Sequence, residues 1–255
     1  MELVDSHCHF DVEAFDMDRE AALQRAHEQG VVAQVLPAVI HDTWPKLREV
    51  CQRFPGLYPT YGLHPVYLAE HRPEHLEALA EWLAREPAVA VGECGLDFYV
   101  DGLDHDTQVM YFSEQLRLAR QRDLPVIVHA RRALDQVIKY IRRFQGVRGV
   151  VHSFSGSEQQ AEKLLELGFL ISLGGPLTYE RAHRLHRVVR RIPLSRLMLE
   201  TDAPDQPGCQ HRGERNEPAY LPEVLETVAR LRDEDPAHIA ATTCANTRRL
   251  FGLSA

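Results

Sequence analysis

Short apolar runs alternate with amphipathic stretches along most of the chain. Eight of the runs are rich in Val, Ile and Leu, a composition typical of buried parallel strands. These predicted strands cover residues 3–7, 31–39, 57–63, 88–93, 125–129, 149–152, 169–173 and 197–201. Helical periodicity between them predicts helices over residues 19–29, 44–54, 74–85, 108–121, 133–144, 158–167 and 179–190.

The order of these elements is strand then helix, which indicates parallel strands joined by right-handed crossovers. Eight such units close into a barrel, so we predict an α/β fold: a TIM-type (β/α)8 barrel with extra C-terminal helices at 221–232 and 237–251. Gly30, Gly146 and Gly168 follow predicted helices, where a left-handed cap is expected. We expect one domain over residues 1–255, and a doubly wound open sheet is the structural alternative.

Composition narrows the class of protein without identifying an activity. The 255 residues include 29 basic and 37 acidic side chains, a formal charge of -8, so nucleic acid can bind only where the local charge is positive. Apolar runs fall short of the roughly 20 residues of a membrane span. The five cysteines are scattered and lack a Cys-x-x-Cys pair. We therefore expect a cytoplasmic protein that does not contact a membrane, and we infer no obligate protein partner.

Potential metal ligands end several of the predicted strands. His7 and His9 are two residues apart, so both imidazoles project from the same face of an extended strand. In a barrel the carboxyl ends of all strands meet at one mouth. Four further potential ligands end later strands: Glu93, His129, His152 and Asp202.

Six converging imidazoles and carboxylates exceed what one catalytic ion requires. We therefore predict two divalent cations, which this ligand set would accept as Zn²⁺, Mn²⁺ or Mg²⁺, with Glu93 able to bridge them. Two ions suit a hydrolase that uses a metal-bound hydroxide. Asp202 is the carboxylate placed to orient the attacking water or accept its proton.

Six motifs spread over the whole chain resemble those of the TatD-type metal-dependent hydrolases, in the amidohydrolase-like barrel superfamily. Among the members of this family, the chain looks most like bacterial proteins described as uncharacterised metal-dependent hydrolases. The motifs are Asp5-Ser-His-Cys-His-Phe-Asp11, Tyr61-Gly-Leu-His-Pro65, Val91-Gly-Glu-Cys-Gly-Leu-Asp97, Pro125-Val-Ile-Val-His-Ala-Arg131, Val151-His-Ser-Phe-Ser-Gly156 and Leu199-Glu-Thr-Asp-Ala-Pro204.

The resemblance implies a phosphodiesterase that acts on DNA or a small phosphodiester, as a 3′ to 5′ exonuclease-like deoxyribonuclease. It further implies one ion on His7 and His9 and a second on His129 and His152. Glu93 would bridge the ions, and Asp202 would contact metal and nucleophile. For the substrate phosphate, the resemblance points to His64 and Arg131.

Alternatives follow from the same residues. The centre would also suit hydrolysis of an ester, lactone, amide or aminoacyl-tRNA bond, because ligands alone do not distinguish phosphorus from carbonyl carbon. A non-catalytic metal-binding scaffold ranks lower. Arg212 and Arg215, in the long loop 203–218, either line the cleft or lie on a solvated surface. We interpret the basic segment 181–191 as a solvated helical face, and the thiols of Cys8 and Cys94 as small core groups.

Overall fold

A computed structural model describes residues 1–254. Eight strands follow one another along this part of the chain: β1 Leu3–Asp5, β2 Val31–Pro37, β3 Leu57–Thr60, β4 Val91–Asp97, β5 Val126–Arg131, β6 Gly149–Val151, β7 Leu170–Leu173 and β8 Leu197–Leu199. The α-helices are α1 Arg19–Glu28, α2 Trp44–Arg53, α3 Glu74–Arg85, α4 His105–Arg122, α5 Leu134–Arg143, α6 Glu158–Glu166, α7 His183–Arg191, α8 Leu221–Arg232 and α9 Pro236–Phe251.

All paired strands are parallel, in two ladders that run β1-β2-β3 and β4-β5-β6-β7-β8. Backbone hydrogen bonds connect the ladders on both sides. Gly92 donates to Tyr61 (2.9 Å), which joins β4 to the end of β3, and Ser6 donates to Leu199 (3.0 Å), which joins the end of β1 to β8. The predicted α/β fold of TIM type, with two extra C-terminal helices, is confirmed.

Several predicted boundaries differ from the structure by two or three residues, and two differ by four. We expected the fourth strand to end at Glu93, but β4 continues to Asp97 after a shift of register between Val91 and Cys94. Glu93 leaves the β4–β5 ladder at this shift, and its backbone N–H donates to Ala38 at the end of β2 (3.0 Å). The seventh helix was predicted to begin at position 179, but α7 begins at His183. A separate 3-10 turn covers residues 175–178 before it.

The apolar core has two parts. Inward-facing residues from the strands form the smaller part, and α9 covers it with Leu250 and Phe251. Most other apolar side chains form the larger part, which includes Cys8 and Cys94. Both thiols are fully buried, as predicted. The barrel is therefore filled below its mouth, and the polar side chains at the carboxyl ends of the strands lie on a packed floor.

Candidate metal centre

Glu93 lies at the centre of the polar side chains at the mouth of the barrel. It is 1% exposed, and its two carboxylate oxygens face different partners. Oε2 is 3.2 Å from His7 Nε2 and 3.5 Å from His9 Nε2. Oε1 is 2.7 Å from His152 Nε2 and 3.2 Å from His129 Nδ1. One carboxylate thus connects two groups of imidazoles, which is the arrangement that a bridging ligand requires.

The first donor group consists of His7 Nε2, His9 Nε2, Glu93 Oε2 and Asp202 Oδ1. The two imidazole nitrogens are 3.3 Å apart, on residues that follow the end of β1 at Asp5. Asp202 Oδ1 is 3.3 Å from His7 Nε2 and 3.6 Å from His9 Nε2. Ligand atoms about 2.1 Å from a tetrahedral ion are separated by roughly 3.4 Å. The first donor group therefore has the spacing of ligands around a single ion.

The second donor group consists of Glu93 Oε1, His129 Nδ1 and His152 Nε2. The proton of His129 is fixed by Asp97, whose Oδ2 accepts from Nε2 at 2.8 Å. Burial alone would raise the pKa of Asp97, but His129 and two backbone N–H groups lower it to about 2, so this acceptor is ionised. In the neutral ring, His129 Nδ1 consequently presents a lone pair to the centre, as a metal ligand must.

His9 shows the same arrangement in the first donor group. Its Nδ1 is 3.2 Å from the Pro37 carbonyl, which can only accept a hydrogen bond. The hydrogen of neutral His9 is therefore on Nδ1, and Nε2 carries the lone pair toward Glu93 and Asp202. Both donor groups thus contain a histidine oriented by an acceptor outside the centre.

His64 also approaches Glu93, but with the opposite tautomer. Its Nε2 is 3.0 Å from Glu93 Oε1, while its Nδ1 accepts from the Val66 backbone N–H at 3.1 Å. Burial lowers the pKa of His64 to about 4, so the ring is neutral at pH 7 and carries its hydrogen on Nε2. A hydrogen in this position suits contact with an anion better than ligation of a cation.

Buried polar atoms at the centre lack partners. Among residues 1–254, Glu93 Oε1, His7 Nδ1 and both ring nitrogens of His152 make no hydrogen bond of acceptable geometry, although imidazole nitrogens of His152, His64 and His129 lie 2.7–3.2 Å from Glu93 Oε1. Leaving such atoms unpaired in a protein interior costs about 1–3 kcal/mol each. The mixture of imidazole nitrogens and carboxylate oxygens is the ligand chemistry of Zn²⁺ and related divalent ions. The residues present therefore fit a divalent metal centre.

The carboxylate and imidazole groups of the centre shift each other's pKa values. Burial alone would raise the pKa of Glu93, but His152, His64 and His7 hold it well below its usual value. Burial likewise would lower the pKa of His129, but Asp97 and Glu93 raise it. Glu93 is therefore a carboxylate, and a cation that binds beside it competes with protons on the imidazoles.

Asp202 is held by a short chain of polar side chains. Its Oδ2 accepts from Gln206 Nε2, and Gln206 Oε1 accepts from Ser153 Oγ at 3.0 Å. The Asp202 backbone N–H donates to His7 at 2.9 Å, which ties the loop after β8 to the end of β1. Oδ1 is left to face the first donor group.

Sequence reasoning missed three residues around the centre. Asp97 orients His129, and Gln206 orients Asp202. Asp5 accepts from the backbone N–H groups of His7 (3.2 Å) and Thr201 (3.0 Å). Asp5 and Asp97 belong to the motifs quoted above. The available signal was their spacing from predicted ligands: Asp5 lies two residues before His7, and Asp97 lies four residues after Glu93. Gln206 carried no signal.

A cleft of about 670 Å³ opens over the centre. Arg131 lines it, and its guanidinium stacks on Tyr99 at 3.6 Å. Arg215 is instead tied to Asp18 and Glu217 by ion pairs of 2.7 and 2.6 Å. Within residues 1–254, neither Arg212 nor Arg215 is among the residues that line the cleft. The structure thus favours the surface alternative for these two arginines.

The family model for TatD related DNase matches residues 4–252. The chain belongs to the TatD family. An uncharacterized metal-dependent hydrolase of Escherichia coli K12, YjjV, is 42% identical over 253 residues and 98% of each chain. The crystal structure of YjjV, a TatD homolog, superposes with a TM-score of 0.96 at 40% identity, over 99% of this chain and 98% of that one.

Another TatD family relative, a 3′-5′ ssDNA/RNA exonuclease TatD of Citrobacter rodentium, is 33% identical over 249 residues and 94% of each chain. A phosphotriesterase homology protein of Escherichia coli, solved with phosphate in its active site, shares the fold alone: TM-score 0.72 at 13% identity, over 98% of each chain. The chain is a metal-dependent hydrolase of the TatD family. Within the described residues, no helix is long and apolar enough to cross a membrane.

Proposed function

We propose that this protein is a phosphodiesterase that removes nucleotides from DNA ends, in the manner of a 3′ to 5′ exonuclease, and that its centre holds two divalent cations. The observation that carries the proposal is the position of Glu93, whose oxygens face two separate donor groups at the floor of a cleft. A family relative described as a 3′-5′ ssDNA/RNA exonuclease supports the choice of substrate.

His7, His9 and Asp202 would hold one cation and His129 and His152 the other, with Glu93 shared between them. The bound cations would activate water near neutral pH and neutralise charge on the phosphoryl oxygens. Asp202 would orient the attacking water or accept its proton, while Gln206 fixes the carboxylate through Oδ2.

His64 and Arg131 would bind the scissile phosphate. The hydrogen on His64 Nε2 points toward the centre. Arg131 presents a planar guanidinium at the wall of the same cleft. Both groups neutralise or hydrogen-bond an anion, which favours a phosphodiester over the uncharged esters and amides that the same ligands would otherwise suit.

Single-stranded DNA labelled at either end provides the test, with Mg²⁺, Mn²⁺ or Zn²⁺ added to metal-free protein. We expect shortening from the 3′ end, and a loss of at least about a hundredfold in kcat for Glu93→Gln and Asp202→Asn. Glu162→Gln, at an exposed position of α6 outside the cleft, is the matched control. Activity that survives in both centre variants would contradict the proposal.

Parallel assays on esters, lactones, amides and aminoacyl-tRNA decide between phosphorus and carbon as the site of attack. Cleavage of a carbonyl substrate without cleavage of any phosphodiester would replace the proposed reaction. Metal analysis of the purified protein addresses a scaffold without activity, which would hold one ion in a closed site. We expect two ions per chain.

A further inference from the structure

A second cleft of about 600 Å³ adjoins the cleft over the metal centre. The two clefts share Ser155 and Gln206 in their walls. Gln206 also contacts Asp202, so the shared wall lies directly beside the centre. A substrate longer than one residue can therefore continue from the centre into this second cleft.

The lining of the second cleft combines positive charge with flat apolar surface. Arg181 and Arg184 supply two guanidinium groups, and Tyr179 supplies an aromatic ring beside Leu185 and Pro207. Arginines pair with phosphates, and aromatic and apolar side chains accept the faces of bases. This combination is typical of grooves that bind single-stranded nucleic acid.

The basic segment 181–191 is divided by its contacts. Arg187 and Arg191 pair with Glu158, at 3.1 and 2.9 Å. Arg181 and Arg184 are exposed and have no carboxylate partner among residues 1–254. Two positive charges are therefore free at the second cleft, on a protein whose formal charge is -8. All four side chains are exposed, which fits our interpretation of the segment as a solvated helical face, and Arg181 and Arg184 also line the second cleft.

We propose that the second cleft binds the part of a single-stranded DNA substrate adjacent to the cleaved phosphodiester. Arg181 and Arg184 contact backbone phosphates, and a base lies against Tyr179. Gln206 separates the cleaved nucleotide from the bound strand. This proposal rests on the proposed phosphodiesterase function and adds to it a preference for strands over dinucleotides.

Binding is measured by fluorescence anisotropy with a labelled phosphorothioate strand of about eight nucleotides and with a dinucleotide of the same chemistry. The substitutions Arg181→Gln and Arg184→Gln are combined in one variant. We expect its affinity for the strand to fall roughly tenfold, with a slope of log affinity against log salt smaller by about 1.4, since each phosphate contact on single strands contributes about 0.7.

The matched control combines Arg187→Gln with Arg191→Gln, which removes the same charge from the same segment outside the cleft. It should change strand affinity less than about twofold. An equal loss in the two double variants, or an equal loss for dinucleotide and strand in the first, would overturn the proposal. So would the absence of strand binding by the unaltered protein.

Hydrolysis by the unaltered protein is followed separately, with an unmodified strand. Strand binding that depends on Arg181 and Arg184 without any cleavage would refute the phosphodiesterase function and retain the groove. Cleavage with equal effects of the two double variants would retain the function and refute the groove. Thermal unfolding of both variants checks that the exposed substitutions leave the fold intact.

Discussion

Asp97→Asn should weaken the binding of one metal ion and leave the other unchanged. Asp97 is fully buried and uses both oxygens: Oδ2 accepts from His129, while Oδ1 accepts from the backbone N–H groups of Tyr99 (2.9 Å) and Val100 (3.1 Å). Asn is the same size but has one acceptor and one donor. The substitution therefore changes the hydrogen bonding without changing the packing.

Either orientation of the new amide disturbs the second donor group. If its oxygen keeps the two backbone N–H groups, its NH₂ faces His129 Nε2 and forces the hydrogen of the ring onto Nδ1, the atom that faces Glu93. If its oxygen faces His129, two buried backbone donors lose their acceptor. Loss of such an orienting partner lowers metal affinity by about 10- to 100-fold, or roughly 1.4–2.7 kcal/mol.

The assay is a titration of metal-free protein with Zn²⁺ against a competing chelator, analysed as two sites. We expect one dissociation constant to rise by about 10- to 100-fold and the other to stay within about twofold. Asp101→Asn, in the exposed loop after β4, makes the same charge change away from the centre. Two unaltered dissociation constants in Asp97→Asn would refute the tautomer argument, and equal weakening of both would refute the assignment of separate donor groups.

Three further outcomes follow from the contacts. Glu93→Gln should reduce metal stoichiometry below two ions per chain, measured by elemental analysis, because each donor group loses a charged oxygen. Gln206→Ala should lower kcat about tenfold with little change in metal content, since it frees Asp202 Oδ2 without removing a ligand. At the surface, hydrogen bonds from Arg215 and Arg25 lower the pKa of Asp18 to about 2, which stabilises the fold above pH 4 and is lost as the pH falls toward 2. Discounted for the one-third exposure of Asp18, the effect is about 1 kcal/mol. Urea unfolding of Asp18→Asn should show this deficit at pH 7 and no deficit near pH 2.

The barrel and the placement of the histidines at its mouth could be predicted because they follow from local patterns. The spacing of His7 and His9 predicted that both rings would face the same way, and their Nε2 atoms do lie 3.3 Å apart, although β1 ends at Asp5. The strand and helix order brings His129 and His152 to the same edge. Glu93 was predicted at this edge for a partly incorrect reason. It lies inside β4 and reaches the centre because the register shifts beside it.

Contacts between distant segments could not be predicted in the same way. Arg215 is tied to Asp18, which lies 197 positions earlier. Glu158 on α6 pairs with Arg187 and Arg191 on α7, and this contact distinguishes these two arginines, which share a carboxylate, from Arg181 and Arg184, which have none within residues 1–254. A charge pattern in one segment shows how many charges exist, while the neighbouring element decides which of them are available to a ligand.

His64 and His129 show why residue type and strand position do not define a metal ligand. Both rings direct a nitrogen at Glu93 Oε1, at 3.0 and 3.2 Å. In His129 the other nitrogen donates to Asp97, so an electron pair faces the centre, whereas in His64 the other nitrogen accepts from Val66, so a hydrogen faces it. An electron pair binds a cation and a hydrogen binds an anion. The backbone and carboxylate partners behind the rings therefore assign two histidines of similar position to opposite charges.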